Sequence, residues 1–398
     1  MNEIYLTIFF ISLLLFLLGS GVWVALSMVA VSAIGMMLFT SRPVGDAMAT
    51  TIWGTSSSWS LTALPLFVWM GEILFRTKLS ENLFKGLSPW LSRLPGGLIH
   101  VNVVGCALFA AISGSSAATV ATVGKMSIPE LRKRKYPEKL LLGSLAGSGT
   151  LGLLIPPSII LIIYGVTIED SIAKLFMAGI LPGIMIALIF MSYVVIWSIL
   201  NKKLMPKNLQ NFSFSQKIKA SKQLFPVILL ITSVIGSIYT GIATATEAAS
   251  LGVLGALVLS WFQQTLNTKT FKLSLLGATK TSCMIAFILA GSTFLSLAMG
   301  FTGLPRNLAV WINNMNLSPF MLIFILTIFY IILGMFLDGI SAVVLTMAII
   351  EPMIRQAGFD MIWFGIYLVI VVEMAQITPP VGFNLFVLQG MANKDMGF

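Results

Sequence analysis

The sequence predicts an all-α protein that crosses a membrane many times. Three observations predict it. Apolar residues make up 57% of the 398 positions and charged residues only 10%, against about 25% charged in a soluble domain. The charges are clustered, which leaves apolar runs near the ~20 residues needed to cross about 30 Å of hydrocarbon. A long apolar hairpin followed by a helix broken at Pro-Pro then occurs twice along the chain. A mean hydropathy of +0.97 is incompatible with a water-facing surface.

Composition also excludes function classes. The net charge of +10 is carried by short loops between apolar runs, the positive-inside pattern of membrane proteins, and no nucleic-acid motif accompanies it. Cys106 and Cys283 both lie in apolar runs, so neither a disulfide framework nor a thiolate metal site is expected. His100 is the only histidine, which removes His-based catalytic or metal clusters. There is no Walker loop, no Gly-rich nucleotide turn and no protease motif, so this chain is not expected to be an enzyme. The start, Met1-Asn2-Glu3, lacks the basic opening and cleavage site of a removable signal peptide, and the first segment is expected to stay.

Membrane segments read at 4–18, 22–40, 60–76, 98–129, 140–165, 176–200, 224–240, 243–264, 281–302, 318–352 and 362–391. Gly19-Ser20-Gly21 makes the first turn. Basic residues bracket 98–129 on both sides, Arg76 to Arg93 before it and Arg132 to Lys139 after it. Both ends therefore face the cytoplasm, and the run reads as a re-entrant hairpin turning at Ser113-Gly114-Ser115-Ser116. The clusters Lys202 to Lys222 and Lys269 to Lys280 are again cytoplasmic. On this count 318–352 enters from the opposite face as a second hairpin, and the N-terminus lies outside.

The two hairpins belong to a repeat. Pro156-Pro157 recurs as Pro379-Pro380 and Pro129 as Pro352, each 223 residues on. Gly114-Ser115-Ser116-Ala117 matches Gly339-Ile340-Ser341-Ala342, and Leu79, Asn82 and Leu83 match Leu304, Asn307 and Leu308, both at 225. Each unit reads three spans, hairpin, broken span, span. Five crossings is an odd number, so the copies are inverted, the arrangement of secondary transporters whose sites lie at helix breaks near the midplane. The second unit stops at Phe398 without a counterpart of 176–200, and a shortened sequence is expected.

Candidate chemistry sits at the tips and breaks. Non-helical backbone at membrane depth must be buried in protein or line a wet cavity. The tip 112–119 and its counterpart Leu337-Asp338-Gly339-Ile340-Ser341-Ala342 offer carbonyls, hydroxyls and a carboxylate, ligands that suit a hard cation such as Na⁺. The helix starting at each tip turns its N–H groups inward, where they suit an anion. Small residues there also permit tight packing. At Gly147 to Ser158 and Glu373 to Gly382, paired prolines remove donors and free carbonyls. Glu72, Glu247, Asp338 and Glu373 are acids within or beside apolar segments. Asp338 is the leading candidate for coupling, Glu72 is expected to pair with Arg76, and Glu247 divides evenly between function and a helix-start role. Arg306 and Arg355, beside the second hairpin, are candidates to meet an acidic partner or substrate.

The chain resembles the large membrane subunit of the tripartite ATP-independent periplasmic (TRAP) transporters. The likeness is carried by Ala110 to Pro129, Leu151 to Ser158, Ala243 to Ala249 and Gln376 to Leu385, and covers essentially the whole chain. The Pro-Pro elements alone are also similar to divalent-anion/Na⁺ symporters of the wider ion-transporter superfamily, so a stand-alone symporter is the alternative. The resemblance implies a multi-pass protein of the bacterial inner membrane and an elevator mechanism. Residues 98–165 and 318–398 would form the transport domain, and 1–97 and 166–317 the scaffold. It implies Na⁺ coupling, a small membrane subunit, a periplasmic substrate-binding protein and an organic-acid substrate such as sialic acid, a C4-dicarboxylate or a sugar acid. One Na⁺ would be held by Ser113, Ser116, Gly149, Ile155 and Pro156, and a second by Gly339, Ser341, Thr378 and Pro379. Substrate would lie between them at Ser115, Ser116, Asp338, Ser341 and Thr378.

Overall fold

A computed structural model describes residues 3–206, 212–303, 318–335, 337–379 and 382–392. The described residues form helices and no strand. The first half contains α1 (Glu3–Gly19), α2 (Val24–Phe39), α3 (Val44–Ser56), a 3-10 turn (Trp59–Thr62), α4 (Ala63–Phe75) and α5 (Leu79–Leu91). It continues with α6 (Ile99–Ser113), α7 (Ser116–Lys133), α8 (Glu138–Gly149), α9 (Leu151–Leu154), α10 (Ile159–Thr167) and α11 (Ile172–Leu200). The second half holds α12 (Phe214–Ser221), α13 (Phe225–Tyr239), α14 (Ala245–Phe262), α15 (Thr268–Thr302), α16 (Pro319–Gly334), α17 (Gly339–Gln356), α18 (Met361–Gln376) and α19 (Phe383–Ala392).

Five helical stretches among these residues are long and apolar enough to cross a membrane, or seven if each of two bent pairs counts as one span. The bends, 53° and 54°, join α3 to the 3-10 turn and α4, and α12 to α13. Burial separates two spans of similar length. The Glu138–Thr167 stretch is 89% buried over its most apolar window, whereas α11 is 17% buried over its own. The broken span is thus the most buried of the five stretches. On α11, Leu181, Ile184, Leu188 and Ile196 point outward, as lipid-facing side chains do.

Both hairpins form. At 15 residues, α6 is about 22 Å long and too short to cross about 30 Å of hydrocarbon. It ends at Gly114, whose φ of +60° is the left-handed cap that glycine supplies without a Cβ penalty. Ser115 then lies extended as the N-cap of α7, accepting from Ala118 N–H at 3.5 Å. In the second hairpin Asp338 is the extended N-cap of α17. The matched prolines Pro129 and Pro352 lie inside α7 and α17 respectively. The Leu304, Asn307 and Leu308 match, and Arg306, lie outside the described residues.

The halves interlock reciprocally. The helix after the first break, α10, packs on the second hairpin's α17, and the helix after the second break, α19, packs on the first hairpin's α7. Equivalent elements thus make exchanged contacts, the pattern a twofold relation between the halves requires. Small residues set other close approaches. A β-carbon at Gly291 of α15 would lie 2.9 Å from the Ala25 carbonyl oxygen of α2, and one at Gly252 of α14 would lie 2.5 Å from the Met70 sulfur of α4.

Three helices fall where loops are expected from charge. Residues 79–91 and 214–221 form α5 and α12, and α15 begins at Thr268, thirteen residues before the apolar run at 281–302. On α5 the basic and acidic side chains share an amphipathic helix, with Leu79, Leu83, Phe84 and Leu87 buried beneath them.

Candidate ion and substrate site

The first tip and the first break are bonded to each other. Ile159 N–H donates to the Gly114 carbonyl at 3.2 Å. A β-carbon at Gly114 would lie 2.7 Å from the Pro157 carbonyl oxygen. The break itself runs from Ile155 to Ser158, with Ser158 as N-cap of α10 and its hydroxyl donating to the Leu153 carbonyl. That bond satisfies one carbonyl freed by the prolines.

Within the tip the hydroxyls form a short chain. Thr119 Oγ1 and Ser113 Oγ lie 2.8 Å apart and both reach the Ser115 carbonyl, at 2.8 and 3.3 Å. Each hydroxyl has one proton, so one of the two serves the carbonyl and the other bridges the pair. The chain rests against Gly152, where a β-carbon would approach the Ser115 oxygen to 2.5 Å and Thr119 Oγ1 to 2.7 Å. Gly149, singled out from the sequence, instead abuts Val120 of α7, at 2.0 Å from an added β-carbon. Ile155 and Pro156 pack on α11 at Gly183 and Gly179.

Ser116 leaves its own tip. It is 3% exposed, and its hydroxyl donates to Gln376 Oε1 on α18 at 2.8 Å, across 260 residues of sequence. The same Gln376 faces the second tip: a β-carbon at Gly339 would lie 2.6 Å from its Nε2 and 2.7 Å from Val372 Cγ1. One turn earlier, the buried Glu373 carboxyl faces the backbone amide of Leu154, just before the first break. Its Oε1 has no partner among the described residues. The last turn of α18 therefore touches both tips and the first break.

At the second tip Asp338 accepts from Ile340 N–H and Ser341 N–H, both at 3.1 Å and both through Oδ2. Its carboxylate caps α17, and Ser341 beside it is 1% exposed. Thr378 donates to the Met374 carbonyl at 2.7 Å, and Pro379 is exposed. Pro380 and Val381 lie outside the described residues. Asn384, on the first turn of α19, is fully buried with neither amide atom partnered among the described residues. Groups of three or more His, Cys, Asp or Glu able to hold a metal are absent among the described residues. The oxygen atoms brought together here are carbonyls, hydroxyls and the carboxylates of Asp338 and Glu373, ligand types that hard cations take.

Other sequence candidates take structural roles. Glu72 pairs with Arg76 at 2.8 Å, as the four-residue spacing suggests, and Arg76 also donates to the Leu273 carbonyl. Glu247 completes a capping box with Thr244 at the start of α14. Arg355 pairs with Glu351 one turn back. Gln376 and Gly152 lie within the two breaks read from the sequence but were not named individually as site residues. A glutamine one turn after a glutamate in an apolar run, and a third glycine after Gly147 and Gly149, were the signals available.

Comparison with known proteins is consistent along nearly the whole chain. The family model described as "Tripartite ATP-independent periplasmic transporter, DctM component" matches residues 10–397. The C4-dicarboxylate TRAP transporter large permease protein of Pseudomonas aeruginosa is 33% identical over 366 residues, covering 92% of this chain and 85% of that protein. The sialic acid TRAP transporter large permease protein of Vibrio cholerae is 30% identical over 375 residues, covering 94% and 86%. Among solved structures, the YdaH transporter of Alcanivorax borkumensis superposes with a TM-score of 0.59 at 13% identity, covering 93% of this chain and 89% of that one. That similarity concerns the fold.

Proposed function

The chain belongs to the tripartite ATP-independent periplasmic transporter family, as its DctM component, and on that premise we propose that it imports an organic acid across the bacterial inner membrane, driven by Na⁺. Its class, a multi-pass subunit of an organic-acid transporter, follows from the family and its relatives. The coupling ion, the partners and the roles below are the proposal.

The observation that carries it is the meeting of both tips and the first break on one helical turn of α18. One Na⁺ binds at the first tip and break, with Ser113, Ser116, Gly149, Ile155 and Pro156 as its shell. A second binds with Gly339, Ser341, Thr378 and Pro379. The substrate carboxylate lies between them, at Ser115, Ser116, Asp338, Ser341 and Thr378, facing the N-termini of α7 and α17. A helix N-terminus favours an anion, although Asp338 already takes the Ile340 and Ser341 N–H groups of α17 and Ser115 takes that of Ala118 in α7. The Asp338 charge, partly offset by the two N–H groups it caps, sits where a nearby cation would balance a substrate carboxylate.

Residues 98–165 and 318–398 act as the moving domain, and 1–97 and 166–317 as the scaffold. Packing supports the division. An apolar cavity of about 480 Å³ lies between α1, α2 and α15 on one side and α16 and α17 on the other, along the boundary the division draws. Substrate is delivered by a periplasmic binding protein, and a small membrane subunit completes the scaffold.

The test is uptake of radiolabelled succinate and sialic acid into proteoliposomes holding this chain, its small subunit and the cognate binding protein, with and without an inward Na⁺ gradient. Uptake of one acid that collapses without Na⁺ or without the binding protein is expected. Uptake unchanged by removing Na⁺ refutes the coupling. Uptake that needs no binding protein points instead to a stand-alone anion symporter.

A further inference from the structure

Among the described residues, Gln376 reaches from one half's broken helix to both hairpin tips. Its two amide atoms do different work. Oε1 accepts the Ser116 hydroxyl proton at 2.8 Å. A serine hydroxyl has one proton and two lone pairs, so this bond leaves Ser116 Oγ able to act toward any further partner as an acceptor only. That is the state a cation requires of a hydroxyl ligand. Nε2 is thereby fixed on the opposite side, where Gly339 comes so close that an added β-carbon would stand 2.6 Å away. Gln376 and Ser116 are each 3% exposed, so water does not compete for these bonds. Val372, one turn back on the same face, braces Gly339 as well. The Leu154 amide faces Glu373 from the first break, so a shift of α18 is felt at the break too.

We propose that Gln376 is a positioning residue that couples the two ion half-sites: it turns the Ser116 hydroxyl into an acceptor-only ligand at the first tip and braces the second tip at Gly339, so that filling one half-site preorganises the other. This rests on the Na⁺-coupled reading above. The physical basis is preorganisation. A first ion that fixes Ser116 fixes the Gln376 amide plane through their hydrogen bond, and the second ion then meets a tip already set. The carboxamide is not itself an ion ligand in this scheme, so its effect is read in the shape of the Na⁺ response.

The experiment is thermal unfolding of the detergent-purified membrane complex, titrated with NaCl against KCl at constant ionic strength. The wild type is expected to gain stability with Na⁺ along a curve steeper than a single-site isotherm. Gln376→Met, of similar length but with no donor and only a weakly accepting sulfur, is expected to raise the Na⁺ midpoint about tenfold, the usual scale for orphaning a buried hydrogen-bond partner, and to flatten the curve to single-site form. Gln376→Glu keeps an oxygen for Ser116 and is expected to restore the midpoint while leaving the curve flat. If Gln376→Met lowers the melting temperature equally in Na⁺ and K⁺ with midpoint and steepness unchanged, the residue is merely structural and the proposal is overturned. Should Gln376→Met fail to fold, Ser116→Ala breaks the same bond from the other end, and a wild-type steepness there overturns it equally. A wild type that responds to Na⁺ with single-site form refutes the coupling alone. A wild type indifferent to Na⁺ refutes the ion reading instead.

Discussion

Gly152→Ala tests the first ion site through a single methyl group. The new β-carbon would stand 2.5 Å from the Ser115 carbonyl oxygen, while real β-carbons essentially never come under 3.0 Å. The tip must therefore retreat by at least about 0.5 Å, the difference between those two distances. The atoms in the way are backbone, Ser115 C and O, together with the Thr119 hydroxyl, so no flexible side chain can yield instead. Overpacking of this kind costs about 1–3 kcal/mol. Replacing a helical glycine by alanine returns about 0.5–1 kcal/mol. The net spans about 0–2.5 kcal/mol and centres on about 1 kcal/mol, a factor of roughly 5. Relaxed, the tip moves away from the break, and Na⁺ must pull it back against the methyl group, so the cost is drawn from ion affinity. The assay is the Na⁺ midpoint of thermal stabilisation, since a ligand that binds only the folded state raises stability in proportion to its occupancy. Gly143→Ala, on the same broken span with nothing within 4 Å of its added carbon, is the control for propensity alone. A Gly152→Ala midpoint equal to that of wild type and of Gly143→Ala would falsify the placement of an ion between the first tip and the first break.

Two further substitutions separate structure from transport. Gly114 combines a φ of +60° with a neighbour, Pro157 O, at 2.7 Å from an added β-carbon. Asparagine tolerates the left-handed backbone that costs other residues about 1–2 kcal/mol, but it carries the same β-carbon. Gly114→Asn is thus expected to lose Na⁺ stabilisation as fully as Gly114→Ala, and a wild-type response from the asparagine variant would show that φ alone was at stake. Glu72→Gln breaks a half-buried pair one turn apart, a class worth about 0–1 kcal/mol. Uptake by that variant should match wild type, and loss of uptake with the protein still folded would return Glu72 to the list of functional acids.

What could be read from the sequence follows the physics of each signal. Paired prolines and runs of small polar residues break helices wherever they stand, so both tips and the first break appear at the expected residues. The paired charges Glu72 and Arg76 announce themselves by spacing, because one helical turn brings them together. Charge was a poorer guide to loops. Lys269, Lys272 and Lys280 suggested a connection, yet they lie on one continuous helix from Thr268, because long basic side chains sit easily on a helix that emerges into water. Residues 79–91 likewise hide an amphipathic helix behind their charges. Asp338 was the strongest acid by sequence, and its carboxylate proves to be a helix cap as well. Gln376 was invisible as a site residue because its meaning lies in a contact 260 residues away. No local pattern encodes a partner at that separation; only the fold brings it close.

The interlock also bears on how such a protein moves. Gly114 is bonded to Ile159, Ser116 to Gln376, and each post-break helix packs on the other half's hairpin. A hairpin opening alone would have to break contacts within its own half and with the other half at once. The two hydrogen bonds are buried, and losing either in a dry interior leaves groups unsatisfied at about 1–3 kcal/mol each. The boundary with α1, α2 and α15 is built differently. It carries an apolar cavity of about 480 Å³ and, at Ser292, a hydroxyl bond to the Val344 carbonyl. Dispersion contacts are non-directional and individually about 0.1–0.2 kcal/mol, so each is exchanged at less cost than a buried polar bond. On the proposed division, tips and breaks would be displaced as one body along that boundary rather than by either hairpin opening alone. Such a displacement also accounts for why the elements that would hold ions and substrate are drawn equally from both halves: a site assembled across the interlock stays intact while the body carrying it moves.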